Sequence, residues 1–386
     1  MRIAVFIYGL TGGGATRRVV SLAKGWNQAG HRVDLVVVEP RGPLLPEIGE
    51  LNLIPLDFGP LQPLLGFLSR RLRVFLSRFP LARYLRQNPV DLFLSAANHA
   101  HLTALAARRL SKTSVPLILR LSNHLSGSLG GQTGFRGLKA KRRLGLIKRH
   151  YPEADFIVAV CQAVLEDLLK LIPYPREKTS VIYNPIEIEK IRILAREPTP
   201  HPWFNPKTTP IILGAGRLSP QKDFATLIRA LGHIKDLTSA RLIILGEGKE
   251  RKKLVKLARS LGLLERVDLP GFSPNPWAYM ARADVFVLSS RWEGLPGVLL
   301  EALAVGCPVI STDCPGGARE ILEDGRLGPL VPVGHPAILG QALLQILENP
   351  PSRETLEKRA ETFSLTKAVS QYLAVFERVR AWKKSV

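Results

Sequence analysis

The sequence predicts two α/β domains, each built around a parallel β-sheet of the Rossmann-like kind. Short apolar runs rich in β-formers alternate with helical patterns from residue 3 onward, and this alternation is typical of parallel sheets joined by crossover helices. The pattern stops at a proline-rich stretch, 184–210, and then begins again. A chain of 386 residues is also long for a single core and fits two domains of ordinary size.

The first half opens with a strand, a glycine loop and a helix. The strand covers Ile3 to Tyr8, the loop LTGGGATRR covers 10–18, and the helical pattern runs from Val19 to Ala29. A second strand follows at 32–38, which completes a βαβ unit. Further strands are predicted at 91–96, 116–121 and 155–160.

The second half repeats this organisation. Prolines at 185, 198, 200, 202, 206 and 210 interrupt regular structure and mark the junction. Strand, loop and helix then recur in PIILGAGRLSPQKDFATLIRAL and ARLIILGEGKERKKLVKLARSLGL, and RVDLPGF, ADVFVLSS and CPVISTD supply further strands. From Leu365 the apolar residues have helical spacing, so we expect a final amphipathic helix. The expected domains are 1–185, completed by helix 365–386, and 186–364.

Strand-end loops are the candidate binding sites, since ligands of parallel sheets bind at the carboxyl ends of the strands, here in a cleft where the two domains face each other. Gly12, Gly13 and Gly14 lie between a strand and a helix, where backbone amides can approach a phosphate; a plain tight turn is the alternative. Arg217 and Lys222 lie on the loop after a strand, ahead of a helix. Two cations there suit a pyrophosphate, although solvated surface cations fit the pattern too.

Two glutamates stand out in RWEGLPGVLLEA, 291–302. Glu293 falls on the loop after a predicted buried strand, and Glu301 falls in the following helix among apolar neighbours. A half-buried carboxylate needs a hydrogen-bond partner, and a sugar or ribose hydroxyl could supply one. Two alternatives remain open, which are a structural or capping role and a general acid–base pair of the hydrolase type.

These motifs resemble those of the retaining glycosyltransferases of group 1 (family 4), which have the GT-B fold. The resemblance rests on VIYNPI, GRLSPQKD, GEGKERKKL, LPGF, LVPVG and the run from NPWAYM to AREIL, residues 275–322. It implies retaining transfer of a hexose or N-acetylhexosamine from a UDP- or GDP-sugar, with the nucleotide bound by the second domain and the acceptor by the first. It implies no cofactor beyond the nucleotide-sugar co-substrate.

The resemblance also implies roles for single residues. Arg217 and Lys222 match a clamp for the departing diphosphate, Glu293 the residue facing the donor sugar, and Glu301 the ligand of the ribose hydroxyls. Further donor contacts are implied at Gly12, Gly13, Gly14, Phe272, Gly294, Leu295 and Pro296. Many relatives carry a histidine where this chain has Ser122, so Ser122, Asn123, His124 and also His99 are candidates for the acceptor or sugar side. No Asp-x-Asp occurs in the sequence, so we expect no metal requirement.

The positive charge is concentrated in the first half. The net charge is +22, and residues 61–150 hold seventeen Lys and Arg against a single acid, Asp91. The segments 61–89 and 135–150 mix arginine and lysine with leucine and phenylalanine, which favours amphipathic segments lying on an anionic membrane surface. A polyanionic substrate, nucleic acid and an inert surface are alternatives, and we expect no nucleic acid because no nucleic-acid module is present.

The remaining features concern localisation and rival functions. Three cysteines without paired or metal-like spacing, and an N-terminus unlike a signal peptide, favour the cytoplasm, at the inner face of the membrane. The expected acceptor is therefore a membrane-lipid-linked molecule or a polysaccharide. One rival function is a non-catalytic nucleotide-sugar or polyanion-binding protein on the same fold. The other is a phosphorylase-like enzyme, which would need a pyridoxal lysine that the sequence does not indicate.

Overall fold

The computed structural model describes residues 1–129 and 134–384. The chain forms two compact units, one comprising Met1–Pro185 and Leu365–Val386 and the other Ile186–Ser364. Residues 385 and 386, at the end of the predicted C-terminal helix, lie outside the described residues.

Within the described residues, the first unit contains a seven-stranded sheet in the order β3-β2-β1-β4-β5-β6-β7. All the neighbouring pairs are parallel. Its strands are β1 (Arg2–Gly9), β2 (Arg32–Glu39), β3 (Asn52–Pro55), β4 (Leu92–Ser95), β5 (Leu117–Leu121), β6 (Phe156–Ala159) and β7 (Thr179–Val181). The strand order reverses between β1 and β4, and such a switch point is where parallel α/β sheets bind ligands.

Helices cover the first sheet and include the end of the chain. They are α1 (Gly14–Gln28), α2 (Arg70–Leu76), α3 (Arg78–Gln87), α4 (His101–Ser111), α5 (Leu125–Leu129), α6 (Gly134–His150), α7 (Gln162–Leu171) and the last helix, α16 (Leu365–Lys384). Short 3-10 helices lie at Leu45–Glu47, Gly59–Phe67, Tyr151–Glu153 and Arg176–Lys178.

The C-terminal helix α16 packs on α1 and belongs to the core of the first unit. The fully buried Trp26 ring of α1 contacts the rings of Tyr372 and Phe376 at centroid distances of 5.3 Å and 5.0 Å. The Tyr372 hydroxyl also accepts a hydrogen bond, 3.1 Å long, from Nε of the buried Arg120 in β5. Helix α16 is thereby fixed to the sheet by both apolar packing and a polar contact.

A buried carboxylate joins β1, β2, β3 and α3. Asp34 is fully buried and accepts hydrogen bonds from Arg2 Nε at 2.8 Å, Asn52 Nδ2 at 2.7 Å and Tyr84 Oη at 2.6 Å. Burial alone would raise the pKa of Asp34, but the hydrogen bonds from Tyr84, Asn52 and Arg2 outweigh it and hold that pKa below its ordinary value. The charged form of Asp34 therefore stabilises this end of the sheet.

In the described chain, the second unit contains a six-stranded parallel sheet in the order β10-β9-β8-β11-β12-β13. Its strands are β8 (Ile211–Ala215), β9 (Arg241–Leu245), β10 (Val267–Gly271), β11 (Val285–Leu288), β12 (Val309–Thr312) and β13 (Leu330–Val331). The switch point here lies between β8 and β11. These two strands are neighbours in the sheet although β9 and β10 separate them in sequence.

The helices of the second unit surround an apolar core of its own. They are α8 (Ile188–Ala195), α9 (Phe224–Ile234), α10 (Arg251–Ser260), α11 (Pro276–Met280), α12 (Gly297–Ala304), α13 (Ala318–Ile321), α14 (Pro336–Glu348) and α15 (Arg353–Glu361). Short 3-10 helices lie at Pro202–Phe204 and Glu323–Gly325.

Several element boundaries differ from the sequence expectations. Helix α1 begins at Gly14, within the glycine loop, rather than at Val19. The segment 61–89 is divided among a 3-10 helix, α2 and α3. Helix α3 packs on α4 and buries Leu81 and Leu85, so this part of the predicted interfacial segment belongs to the core instead.

Candidate active site

The loops that follow β8, β11 and β12 meet at the carboxyl edge of the second sheet. The side chain of Gln221, after β8, donates to the carbonyl of Trp292, after β11, at 2.8 Å. The hydroxyl of Thr312, at the end of β12, donates to the carbonyl of Ser290 at 2.6 Å. Since neighbouring parallel strands end at the same edge, these hydrogen bonds fix the loops around the β8–β11 switch point.

Lys222 and Glu293 form an ion pair at this edge. The Lys222 ammonium lies 2.6 Å from Glu293 Oε1, and the two side chains are only 17% and 10% exposed. Oε1 also accepts a hydrogen bond of 2.6 Å from the buried hydroxyl of Ser290. Both of these hydrogen bonds use Oε1, so the position of Glu293 is set without its other oxygen.

Close backbone contacts leave little freedom in the loop that carries Glu293. Its amide donates to the carbonyl of Pro315 at 2.8 Å, and the amide of Gly317 donates to the carbonyl of Gly294 at 2.7 Å. Gly316 has φ of +135°, and a Cβ there would lie 2.7 Å from the Glu293 carbonyl oxygen. Only glycine fits this approach. Gly294, Leu295 and Pro296 are buried and lead directly into α12.

Arg217 and Phe272 are exposed on neighbouring strand-end loops. Arg217 follows β8 through Gly216, whose φ of +152° favours glycine. No hydrogen bond or ion pair joins the Arg217 guanidinium to another residue of the described chain. Phe272 directly follows β10 and is 73% exposed. Both side chains are free to contact a ligand.

Glu301 has a partner that sequence reasoning did not identify. The indole Nε1 of Trp277, in α11, donates to Glu301 Oε2 at 3.1 Å, and both residues are buried. The sequence led us to expect that a buried carboxylate among leucines would need a hydrogen-bond partner. That partner in the protein is Trp277, and Asn275 and Pro276 at the start of α11 are the sequence signals that could have placed it.

The glycine loop of the first unit lies at the start of α1. Gly13 is the N-cap residue, with φ of −70° and ψ of 146°, and no side chain caps the helix there. A Cβ at Gly13 or Gly14 would meet nothing closer than 4.0 Å, whereas one at Gly12 would lie 3.0 Å from Pro43. The packing of the fold therefore does not require glycine at positions 13 and 14. Both residues are exposed, so a ligand could approach their backbone closely.

Asn98 holds the loop that contains Ser122 and Asn123. Its Oδ1 accepts hydrogen bonds from the amide and the hydroxyl of Ser122, at 2.8 Å and 3.0 Å, and its Nδ2 donates to the carbonyl of Asn123 at 3.3 Å. Asn98 was not singled out from the sequence. It stands next to His99, on the loop after the neighbouring strand β4, and was recognisable only from that position.

His124 takes part in a local turn. Its Nδ1 accepts a hydrogen bond of 3.1 Å from the amide of Gly127 and lies 3.3 Å from a carboxylate oxygen of Asp167. Burial lowers the pKa of His124 and outweighs the opposing effect of Asp167. The His124 ring is therefore uncharged at neutral pH.

His99 lies apart from that turn, beside α2. Its Nε2 is 3.3 Å from Nη2 of Arg70, and its ring contacts the ring of Tyr8 edge-on at a centroid distance of 6.3 Å. The structure thus brings His99 together with residues that were not assigned to a site from the sequence.

No cluster of three or more His, Cys, Asp or Glu side chains suited to a metal ion occurs in residues 1–129 and 134–384. The three cysteines are buried and free. Burial, followed by the Glu293 charge, raises the pKa of the Cys314 thiol to about 12, so this thiol is a structural group and not a nucleophile at neutral pH.

Exposed apolar side chains accompany the arginines of residues 64–79. Phe67 is 90% exposed, Leu64 and Phe79 are 52% exposed, Phe75 is 50% exposed and Leu72 is 41% exposed. Arg78 lies over the rings of Phe75 and Phe79, at 3.8 Å and 4.8 Å. Across the described chain, every helix is too short or too polar to cross a bilayer.

Comparison with known proteins agrees with the two α/β units. The family described as Glycosyl transferases group 1 matches residues 196–363, and the family described as Glycosyltransferase Family 4 matches residues 12–190. Together these matches cover most of both units.

Relatives and solved structures extend the agreement to the whole chain. The Campylobacter jejuni enzyme N-acetylgalactosamine-N,N'-diacetylbacillosaminyl-diphospho-undecaprenol 4-alpha-N-acetylgalactosaminyltransferase is 31% identical over 370 residues, covering 94% of each chain. Sucrose-phosphate synthase from Thermosynechococcus elongatus has a TM-score of 0.81 at 20% identity, covering 99% of each chain. HepE of Anabaena, in complex with UDP and glucose, has a TM-score of 0.76 at 21% identity and covers 98% of this chain and 100% of its own.

The two parallel-sheet units and their strand-end loops define a protein with the GT-B fold, as the sequence predicted. The chain belongs to the group 1 (family 4) glycosyltransferases. The prediction of an enzyme of the hexosyltransferase class is thereby confirmed.

Proposed function

We propose that this enzyme transfers a hexose or N-acetylhexosamine from a UDP- or GDP-sugar to a lipid-linked or polysaccharide acceptor, with retention of the anomeric configuration. The observation that carries the proposal is the Lys222–Glu293 ion pair, 2.6 Å long, at the switch point of the second sheet. The exposed Arg217 lies on the same strand-end loop as Lys222. This places two cations and a carboxylate where parallel sheets bind ligands.

The donor sites follow from this arrangement. Arg217 and Lys222 stabilise the nucleoside diphosphate as negative charge develops on it during departure. Glu293 is held through Oε1 and presents its other oxygen to a hydroxyl of the donor sugar. Glu301, oriented by Trp277, binds the ribose hydroxyls, and the exposed ring of Phe272 covers the base. Gly294, Leu295 and Pro296 shape the wall of this site.

Gly12, Gly13 and Gly14 of the first unit are assigned to the diphosphate. The open space around Gly13 and Gly14 supports this assignment, since no steric demand of the fold explains either glycine. Amides at the beginning of the fifteen-residue helix α1 favour an anion through the helix dipole. With arginine, lysine and amides performing this electrostatic role, we propose that no metal ion or further cofactor takes part.

The acceptor is assigned to the first unit, with Ser122, Asn123, His124 and His99 on its sugar side. A lipid-linked acceptor is supported by the C. jejuni relative, whose name specifies a diphospho-undecaprenol substrate. It is also supported by the exposed apolar side chains and arginines of residues 64–79, which suit contact with an anionic membrane surface. We therefore propose a peripheral protein at the inner face of the membrane.

The experiment is a transfer assay with a panel of UDP- and GDP-sugars and a short-chain glycosyl diphosphate lipid, run with and without EDTA. We expect one donor to give acceptor-dependent release of its nucleoside diphosphate, unaffected by EDTA, and an α-linked product from the α-configured donor by NMR. A β-linked product would contradict retention. Activity lost in EDTA and restored by magnesium would contradict metal independence, and release with none of the donors would contradict the assignment as a whole.

A further inference from the structure

A group of side chains at the carboxyl edge of the first sheet, which we call the Tyr8 cluster, is not explained by the donor site. It consists of Tyr8 at the end of β1, Glu39 at the end of β2, Arg70 and Arg73 on α2, and His99 after β4. Because β1 and β4 flank the switch point of this sheet, the cluster lies where a parallel sheet binds a ligand.

The two arginines converge on the Tyr8 ring. The guanidinium carbon of Arg70 is 4.3 Å from the ring centroid, and that of Arg73 is 5.8 Å from it. Arg70 also lies 3.3 Å from His99 Nε2, and Arg73 lies 3.5 Å from Glu39 Oε2. Two guanidinium groups and one carboxylate leave the cluster with a net positive charge.

Two buried polar atoms of the cluster lack hydrogen bonds. The Tyr8 side chain is buried, with the residue only 5% exposed. Neither its hydroxyl nor Nε of Arg73 makes a hydrogen bond with the described residues, although burial and, after it, the neighbouring Glu39 carboxylate raise the pKa of that hydroxyl. An unsatisfied buried polar group destabilises the folded protein, so native proteins rarely keep one without a ligand or water. A hydroxyl and a guanidinium N–H both donate, so the missing partner is an acceptor.

Helix α2 has a basic face, which belongs to the Tyr8 cluster, and an apolar face. Arg70 and Arg73 are three residues apart and so share one face of the helix. Leu72 and Phe75, also three residues apart, share another face and are 41% and 50% exposed. A ligand that joins an anionic group to a hydrocarbon chain would satisfy both faces.

We propose that Arg70, Arg73 and Tyr8 bind a phosphate group of the acceptor, with the exposed apolar face of α2 next to the lipid that carries it. Phosphate oxygens accept hydrogen bonds from guanidinium and hydroxyl groups, and arginine matches their geometry. This inference rests on the proposed function, because it names the part of the acceptor that the first unit recognises.

The test measures binding of inorganic pyrophosphate and of farnesyl diphosphate by calorimetry, with the donor site saturated by UDP. Arg70→Gln and Arg71→Gln form a matched pair, because both remove one positive charge from α2 but Arg71 is outside the cluster. We expect Arg70→Gln to weaken pyrophosphate binding about tenfold and Arg71→Gln to change it less than about twofold.

Tyr8→Phe provides the second variant. The hydroxyl that it removes makes no hydrogen bond in the described protein, although Glu39 lies near it, so we expect little change in the melting temperature and pyrophosphate binding weakened about fivefold. Tighter binding of farnesyl diphosphate than of pyrophosphate supports a lipid-borne phosphate. Equal binding of the two would overturn the lipid part of the proposal and indicate a phosphate on a water-soluble acceptor.

Equal losses in Arg70→Gln and Arg71→Gln would overturn the proposal, since they would indicate general attraction to a basic surface. Absence of pyrophosphate binding to the parent protein would also overturn it. Failure of UDP to bind would count against the proposed function alone, because the comparison between Arg70→Gln and Arg71→Gln locates the phosphate without reference to the donor.

Discussion

The ammonium of Lys222 lies 2.6 Å from Oε1 of Glu293, although 71 residues separate the two along the chain. One residue follows β8 and the other follows β11, and the pairing of those strands brings them together. The proposed clamp for the diphosphate is therefore partly neutralised by a carboxylate of the same site. In the proposed site, the Lys222 ammonium would interact with both Glu293 and the phosphate oxygens of the donor.

Opposite changes at this pair should have opposite effects on nucleotide affinity. Lys222→Ala removes a cation and should weaken UDP binding and lower turnover about tenfold, or about 1.4 kcal/mol of transition-state stabilisation. Glu293→Gln leaves Lys222 without its carboxylate, so UDP should bind at least as tightly while sugar transfer falls. Calorimetry and the transfer assay measure the two quantities. The control is Glu357→Gln, which removes the ion pair of 2.7 Å with Arg353 outside this site. Equal loss of UDP affinity in the Lys222 and Glu293 variants would refute the separate roles proposed for the two residues.

Glu301→Gln distinguishes a ligand of the nucleotide from a structural residue. Glutamine can still accept the hydrogen bond from Trp277, so the melting temperature should change little. Hydrogen bonds from ribose hydroxyls to a charged carboxylate are about twice as strong as those to a neutral amide, so UDP affinity should fall. Trp277→Phe should chiefly lower stability, by about 1–3 kcal/mol, because it removes a donor from a buried carboxylate. Unchanged UDP affinity with a lowered melting temperature in Glu301→Gln would assign Glu301 a structural role.

Asp34→Asn should destabilise the first unit by on the order of 3 kcal/mol, since it breaks a buried charged network. The pKa of Asp34 is lowered from 3.8 in the folded protein. Its contribution to stability is therefore present above that ordinary value and is lost as the pH falls through the lowered folded value. Hydrogen exchange in peptides covering β1 and β2 should show a difference between parent and variant at pH 6 that shrinks below about pH 4.

The control for that measurement is Asp57→Asn. The Asp57 side chain is 74% exposed, and its ion pair with Arg83 is long, at 3.7 Å. An exposed pair of this kind contributes at most about 1 kcal/mol. If exchange in Asp34→Asn were no faster than in Asp57→Asn, the buried network would not stabilise the sheet.

Exposed phenylalanines should contribute to membrane binding in a way that salt does not screen. Phe67→Ser combined with Phe75→Ser should reduce flotation with vesicles rich in anionic lipid, at high and low salt alike, because both side chains present apolar area. Arg71→Gln with Arg78→Gln should reduce flotation mainly at low salt, by about 1 kcal/mol or less per charge. Leu237→Ser, at a 70% exposed position of the second unit, is the control. Undiminished flotation of the double phenylalanine variant would place the membrane contact elsewhere.

The sequence predicted the sheets well because their central strands are apolar runs of distinctive length. Strands β1, β8 and β11 are buried along almost their full length, and their mostly apolar residues indicate this burial in the sequence. Strands β3 and β7 were missed because they are short edge strands without a fully buried residue. Local pattern carries little information about such strands.

The site was predictable as a set of strand-end loops but not as a set of contacts. The apolar neighbours of Glu301 in the sequence indicated that its carboxylate needs a hydrogen-bond partner, yet Trp277 lies 24 residues away on another helix. The residues of the Tyr8 cluster come from β1, β2, α2 and the loop after β4, and no local sequence motif predicts that they lie together. Basic residues in 61–89 predicted a membrane face, whereas packing turns Arg70 and Arg73 toward Tyr8. Contacts of this kind depend on tertiary packing.

Calorimetric titration of UDP and GDP into the parent protein and Arg217→Ala tests the central claim most directly, that the carboxyl edge of the second sheet binds a nucleoside diphosphate. Arg229→Ala, which removes an exposed charge from α9 of the same unit, is the matched control. We predict that one of the two nucleotides binds the parent and Arg229→Ala equally, and Arg217→Ala about tenfold more weakly, a difference of about 1.4 kcal/mol. Equal affinity in all three proteins, or no binding of either nucleotide to the parent, would contradict the account.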